Sequence, residues 1–402
     1  MLYYLHQLSE MYAGLSWLRL FQYVTFRAAG AGFTAFVVAV ILGPRIIAWL
    51  RRLKVTDSIA KNDSRKLDEL HSVKKNTPTM GGLLIVGGAM MSWLLWANWP
   101  GVFQAEPQPS AGADGVGRFL AAKAGGFYVV VGMLVLAGMA VLGFIDDYVK
   151  LRGRKGMRLW TKLFWQVVIA VGAALVVFYL LPIDDPHRGR VYFPFLSVRT
   201  SAGGVPDSSF YLALGAGIAA FAALVMVGSS NAVNLADGLD GLAGGCAAIV
   251  AGCYAALSYI SSNRVLCEHL LVPFVQGGGE LAVCSAALCG ACMGFLWYNC
   301  HPAEVFMGDT GSLPIGAFMG YTALCVKHEF LLVLVGGVFV AEAMSVILQV
   351  ASFRLLGRRI FRIAPLHHHF EFKGWKENKV VVRFWIVAVV LALASIATLK
   401  IR

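Results

Sequence analysis

Charge is what this 402-residue sequence has least of: Asp, Glu, Lys and Arg make up only 14% of it, against about 25% in an ordinary water-soluble chain. With 58% hydrophobic residues, water is not its main solvent. Also missing is any polar stretch long enough to fold as a separate soluble domain. No period of 20–50 residues repeats, which argues against a repeat array or duplicated halves. The whole of 1–402 is therefore expected to be a single integral membrane domain. The first residues lack the charged n-region and small-residue cleavage site of a leader, so the first long apolar run is expected to stay as a helix and to insert the chain.

Cysteine is present eight times, yet all but Cys267 and Cys300 fall within apolar runs, which excludes a secreted disulfide frame. Cys289 and Cys292 have the spacing of a redox or metal pair, but no second pair completes a zinc site around them.

What the sequence does have is long apolar runs of about 17–25 residues, the length a helix needs to cross about 30 Å of hydrocarbon. They fall at 26–49, 79–97, 126–145, 162–181, 210–233, 242–261, 281–298, 312–327, 330–352 and 381–400. The expected fold is an all-α polytopic bundle of about ten transmembrane helices. Only Lys327, His328 and Glu329 divide the eighth run from the ninth.

A net charge of +12 invites a nucleic-acid reading, but the basic residues are confined to alternate loops. Residues 51–75, 148–162 and 353–383 hold 22 Lys and Arg, while 98–125, 182–209, 262–279 and 327–329 hold seven. The positive-inside rule puts the first set in the cytoplasm and removes the need for a nucleic-acid partner. Ten crossings then leave both ends outside and make five cytoplasmic loops: 50–78, 146–161, 234–241, 299–311 and 353–380. Every unusual polar motif lies in one of these five, which are expected to form the active site. On the other side, turn residues around Val191-Tyr192-Phe193 suit a short hairpin.

Carboxylates beside apolar helices are costly to bury without a partner or a metal. Asp146 and Asp147 close the third run. Neighbours on a helix point about 100° apart, so one suits a metal or salt bridge and the other a proton. Asn231, Asn234, Asp237 and Asp240 recur every third residue and can share a site only if the helix breaks, which Gly238 and Gly241 allow. Such a loop offers oxygens to a hard cation or to a nucleotide. The stretch 299–312 leads straight into the eighth run. There Asp309 or Thr310 suits an N-cap, Gly308 and Gly311 allow close backbone approach, and the helix start suits an anion. Asp309 is the first choice of magnesium ligand. Lys74 and Lys75 precede Pro78, Thr79 and two glycines at the second run. His367, His368 and His369 diverge as neighbours, so contact with a diphosphate or a proton-transfer role suits them better than joint ligation of one ion. An oxygen-rich, sulfur-free donor set favours Mg²⁺, and Mg²⁺ favours phosphates.

Six segments together resemble the polyprenyl-phosphate hexose-1-phosphate transferase family: KKNTPTMGG (74–82), FIDDYVKL (144–151), NAVNLADGLDGLA (231–243), VFMGDTGSL (305–313), EAMSVILQV (342–350) and PLHHHFE (365–371). They span nearly the whole chain, and PLHHHFE separates the N-acetylmuramoyl-pentapeptide branch from relatives using UDP-GlcNAc. The resemblance implies ten transmembrane helices, a homodimer, Mg²⁺ dependence and an active site facing the cytoplasm from the bacterial inner membrane. The reaction it implies is transfer of phospho-MurNAc-pentapeptide from UDP-MurNAc-pentapeptide to undecaprenyl phosphate, giving lipid I and UMP for peptidoglycan. Carried over residue by residue, Asp146, Asp147, Asp309 and His368 form the catalytic group, with Asp146 deprotonating or orienting the lipid phosphate. Asp309, Asp147 and Asn234 hold the metal, and Lys74, Lys150 and Lys162 contact phosphates. Asn231, Asn234, Asp237, Asp240 and Phe306 make the uridine pocket, while Thr79, Gly308, Ser312, Gln349, His367 and His369 complete the substrate-contacting set. Asn76 and Ala236 stand where the family often has Gly and Thr. The competing readings are a UDP-GlcNAc-dependent relative, which alters the His loop, and a transporter, which places polar groups near the bilayer midplane.

Overall fold

The computed structural model describes residues 2–53, 77–103, 112–152, 156–180, 189–193, 199–200, 206–207 and 211–399. Lys74, and with it Lys75 and Asn76, lies outside the described residues.

Ten longer helices follow the ten apolar runs: α1 (Val24–Arg52), α2 (Gly82–Trp96), α3 (Gly112–Leu151), α4 (Leu159–Leu175), α5 (Ile218–Ala236), α6 (Leu242–Ser261), α7 (Gly279–Asn299), α8 (Asp309–Cys325), α9 (Gly337–Leu356) and α10 (Glu377–Thr398). Eight of these regions are long and apolar enough to cross a membrane; α2 and α8 are shorter, at 15 and 17 residues. The fold class is the all-α polytopic bundle expected from the runs.

The structure corrects two boundaries. The fifth run does not begin as helix at 210, because Tyr211–Ala213 pairs antiparallel with Arg190–Tyr192, the short hairpin-like element anticipated around Val191. The helix starts only at Ile218, after a tight 3-10 turn at Gly215–Gly217. The ninth run is two helices, Glu329–Val335 and α9, divided at Gly336.

Small residues set the packing, as they do where helices meet in lipid and have no water to drive them together. The helix α7 lies against α1 and α6, and α8 lies against α3 and α5. A Cβ on Gly290 of α7 would run into the carbonyl of Gly32 on α1, and one on Gly316 of α8 into the carbonyl of Ser229 on α5. Every residue of α8 is buried, so it is the post around which α2, α3, α5 and α6 stand. Exposed large hydrophobics such as Leu134, Trp160, Leu224, Met293 and Leu393 face outward. That inversion suits a chain dissolved in lipid.

Candidate active site

Two chain segments fix the mouth of α8. Residues 78–82 run beside 306–307: Phe306 N donates to Pro78 O at 2.8 Å, Gly81 N to Phe306 O at 2.7 Å and Gly82 N to Met307 O at 2.9 Å. Gly308 then turns the chain with φ 69°. A side chain there would meet Asp147 Oδ2 and Thr79 Oγ1, so the position needs both the conformational freedom and the smallness of glycine.

Neither Asp309 nor Thr310 caps α8 through its own side chain; Gly308 occupies the cap position and Asp147 of α3 reaches across. Asp147 accepts from Asp309 N (3.2 Å), Thr310 N (2.9 Å) and Thr310 Oγ1 (2.8 Å). The free N–H groups expected to meet a phosphate are thus taken by a carboxylate, which the helix dipole favours at that end. Asp146, pointing another way as helix geometry requires, accepts from Met157 N at 2.7 Å. The two neighbours take different partners.

Asp309 completes the group. One of its carboxylate oxygens and one each from Asp146 and Asp147 lie within 4.8 Å of one another, and all three residues are buried. Lys162 Nζ stands 2.5 Å and Lys150 Nζ 3.0 Å from Asp309 Oδ2, and Lys150 is also 2.7 Å from Asp146 Oδ2. Asn234 Nδ2 donates to Asp309 Oδ1 (2.6 Å) and Ser312 Oγ (2.8 Å). Among the described residues, three carboxylates face two ammonium groups, which leaves negative charge in surplus there. An oxygen-only donor set with that surplus can hold a hard metal ion.

The helix break expected at Gly238 and Gly241 is present: α5 ends at Ala236, and Gly241 takes φ 81° before α6 begins. The four polar residues divide: Asn234 and Asp237 meet the Asp309 group, while Asn231 and Asp240 turn elsewhere. Asn231 turns to Gln166 of α4 (2.9 Å), and Asn234 to Asp309. Asp237 accepts from the Gly308 backbone, and burial together with Asp309 and Asp147 pushes it up to about 8. Asp240 joins a second group, accepting from His301 Nδ1 (2.9 Å) and Ala303 N (3.2 Å), while its own N–H donates to Glu377 (2.9 Å).

The three histidines diverge. His367 is buried against Glu342, His368 Nδ1 lies 2.8 Å from Glu371 Oε2, and His369 Nδ1 accepts from Arg362 N at 3.1 Å. Burial and the charges of Lys373 and Arg362 lower the His369 value. Gln349 spends its side chain on the loop before them, accepting from Ile360 N and Phe361 N and donating to Phe361 O. Sequence reasoning assigned no role to Glu342, His301 or Glu377, and gave Thr310 only that of an N-cap. Glu342 carried a signal: it is a carboxylate inside an apolar run.

Comparison with known proteins decides the family. The glycosyl transferase family 4 profile matches residues 128–327, and the phospho-N-acetylmuramoyl-pentapeptide-transferase signature 1 matches 74–86. The phospho-N-acetylmuramoyl-pentapeptide-transferases of Geobacter sp. (strain M21) and Maridesulfovibrio salexigens are each 43% identical to this chain over 99% of both lengths. That of Methylacidiphilum infernorum is 43% identical over the full length of both. The chain belongs to the phospho-N-acetylmuramoyl-pentapeptide-transferase family. The transferase reading of the six segments is borne out, and the UDP-GlcNAc alternative is not favoured. Membership and the apolar helices also make it a multi-pass membrane protein.

Proposed function

We propose that this chain, acting along its whole length as one membrane domain, transfers phospho-MurNAc-pentapeptide from UDP-MurNAc-pentapeptide to undecaprenyl phosphate with Mg²⁺, giving lipid I and UMP at the cytoplasmic face of the bacterial inner membrane. The observation that carries this reading is the surplus of buried carboxylate at the mouth of α8, edged by two lysines. Orientation rests on the basic loops, which adjoin in sequence the helix ends that carry these carboxylates.

Asp309 and Asp146 would hold the ion, beside Asp147, which was expected as a ligand and already accepts from the backbone of α8; Asn234, the third expected ligand, turns its side-chain N–H to Asp309. When bound, Mg²⁺ supplies neutralisation of the charge on a departing phosphate. The chain supplies the rest. Lys150 and Lys162 are placed to hold phosphate oxygens, which also relieves their crowding on Asp309. Asp146, fixed by Met157 N, is positioned to orient or deprotonate the lipid phosphate. Phe306 and Asp240 lie on the two loops that border this centre, in keeping with a uridine wall. Direct attack by the lipid phosphate needs no covalent intermediate on the protein. The family resemblance further implies a homodimer, which the mass of the detergent-solubilised protein checks.

The test is UMP release by purified protein. It requires UDP-MurNAc-pentapeptide, a polyprenyl phosphate and Mg²⁺ together. Equal turnover with UDP-GlcNAc would overturn the substrate assignment, and full turnover in excess chelator would overturn the metal.

A further inference from the structure

Residues 2–23 precede the first span and are seated at the end of the bundle away from the carboxylate centre. Tyr3 lies over the guanidinium of Arg27 at 4.8 Å, Arg27 pairs with Glu280, and Glu280 packs on Gly125, at the far end of the α3 span from Asp146. Tyr4 OH donates to Asn98 Oδ1 at 2.9 Å, just past the end of α2. Within this segment Ala13–Gln22 winds as a 3-10 helix, kinked at Leu15. Three residues make a turn of such a helix, so side chains three apart stand in line and the rod has three faces.

The sequence sorts those faces by chemistry. Leu15, Leu18 and Phe21 turn to the protein: Leu15 packs on the core, Leu18 and Phe21 are buried, and the Phe21 ring stacks on Trp96 at the end of α2 (5.6 Å between centres) and meets Phe26 of α1 edge-on (5.2 Å). Gly14, Trp17 and Leu20, continued by Tyr23, make a second face that is apolar and outward, with Trp17 58%, Leu20 45% and Tyr23 59% exposed. Ser16, Arg19 and Gln22 make the third, which is exposed and polar. The apolar file runs on through Tyr23 into Phe26 and Phe33, exposed residues on the outward side of α1.

Two exposed faces of opposite character fit two different media. A rod in water gains nothing from an exposed row of Trp, Leu and Tyr, and a rod sunk in hydrocarbon does not keep Ser, Arg and Gln on its surface. Trp and Tyr settle where acyl chains meet headgroups, and the Arg stem can lie along apolar surface with its charge in water. We propose that Ala13–Tyr23 is an interfacial helix, lying in the leaflet opposite the carboxylate centre with the face of Trp17, Leu20 and Tyr23 on phospholipid and that of Ser16, Arg19 and Gln22 in water. The partner of the apolar face is the bilayer, because that face is continuous with the lipid-facing side of α1. The inner face fastens the helix to α1 and α2, so lipid contact and the entry of α1 are set at one depth. None of this depends on which sugar phosphate the chain transfers.

The test reads the faces in the full chain, in nanodiscs of phosphatidylethanolamine and phosphatidylglycerol. Cys289 and Cys300, the two cysteines that are not buried, are first replaced by Ala and Ser. Trp17→Cys, Leu20→Cys, Ser16→Cys and Gln22→Cys then each carry a nitroxide, and its collisions with oxygen, which concentrates in lipid, and with a water-soluble nickel chelate are compared. The oxygen-to-nickel ratio is expected to be severalfold higher at 17 and 20 than at 16 and 22. Equal ratios at all four positions would overturn the proposal. Labels at 17 and 20 that are shielded from both reagents and broadened by one another, with the broadening lost on dilution by unlabelled protein, would seat a second copy on the face and overturn it too. All four side chains are exposed, and Gly14→Cys, on the apolar file with open space around it, stands in for either apolar position if that variant does not fold.

Discussion

Two groups of buried charge sit at opposite ends of the Ala122–Leu151 span of α3, and they are built on opposite plans. At one end Gly125 packs on Glu280, whose carboxylate is gripped by Arg27 through two bonds of 2.8 and 2.7 Å. Asn98 N donates to the same carboxylate, Trp96 O accepts from the guanidinium, and the Tyr3 ring lies 4.8 Å from it. Twenty-one residues on, about 30 Å along the helix, Asp146 and Asp147 join Asp309 against Lys150 and Lys162. The first group balances, and nearly all its polar atoms are matched. The second, among the described residues, carries an excess carboxylate. Closed pairing holds helices together, whereas an imbalance that the fold tolerates marks where a cationic or phosphorylated ligand belongs.

The widest split between the two ends is expected from Asp309→Asn. It should cut UMP release by about 10³-fold or more, yet melting in detergent should not fall, because the remaining carboxylates then balance the lysines. A drop in melting comparable to the lost turnover would put the surplus to structural use instead. Next comes Glu280→Ala, which strands Arg27 and should destabilise by about 3–5 kcal/mol while turnover per folded molecule stays at the wild-type level. Replacing both partners by Met should recover most of that stability, and denaturation of the pair of variants checks it.

Asp147→Ala removes the cross-helix cap of α8 and should cost about 1–2 kcal/mol, so here both stability and rate fall, blurring the contrast in a measurable way. Asp237 gives a pH handle. Its carboxyl holds a proton up to about 8 in the folded chain, above its ordinary value of 3.8. The folded state thus binds the extra proton, and stability falls as pH rises between those values. Asp237→Asn should flatten that slope and raise melting at pH 8 by a few degrees. The smallest effect is expected from Gln349→Ala, about 1 kcal/mol or less, through loosening of the 360–361 loop.

The spans were legible because apolar length is a local property: the run at 242–261 is α6 residue for residue. Local signals also located Asp146, Asp147 and Asp309. What they did not carry was partnership. That Asp147 caps a helix starting 162 residues away depends on α3 lying against α8, as does the removal of N–H groups from phosphate binding. The strand at 211–213 looked like the start of a helix because Tyr-Leu-Ala is apolar in either conformation, and only its pairing with 190–192 decides. Glu342 was visible as an intramembrane carboxylate, but its histidine lies one loop and 25 residues further on.

The shortness and full enclosure of α8 have a consequence for how the protein is made. At 17 residues it extends about 25 Å, less than a bilayer core, and it carries Asp309, Thr310, Ser312 and Thr322. Such a segment has little power to partition into lipid unaided. Its neighbours α2, α3, α5 and α6 precede it in the chain, so each has left the ribosome before α8 emerges, and only the short helix Glu329–Val335 packs on it from the C-terminal side. Chain order therefore lets the central post enter among helices already made, and the carboxylate centre can close only once α8 has joined α3.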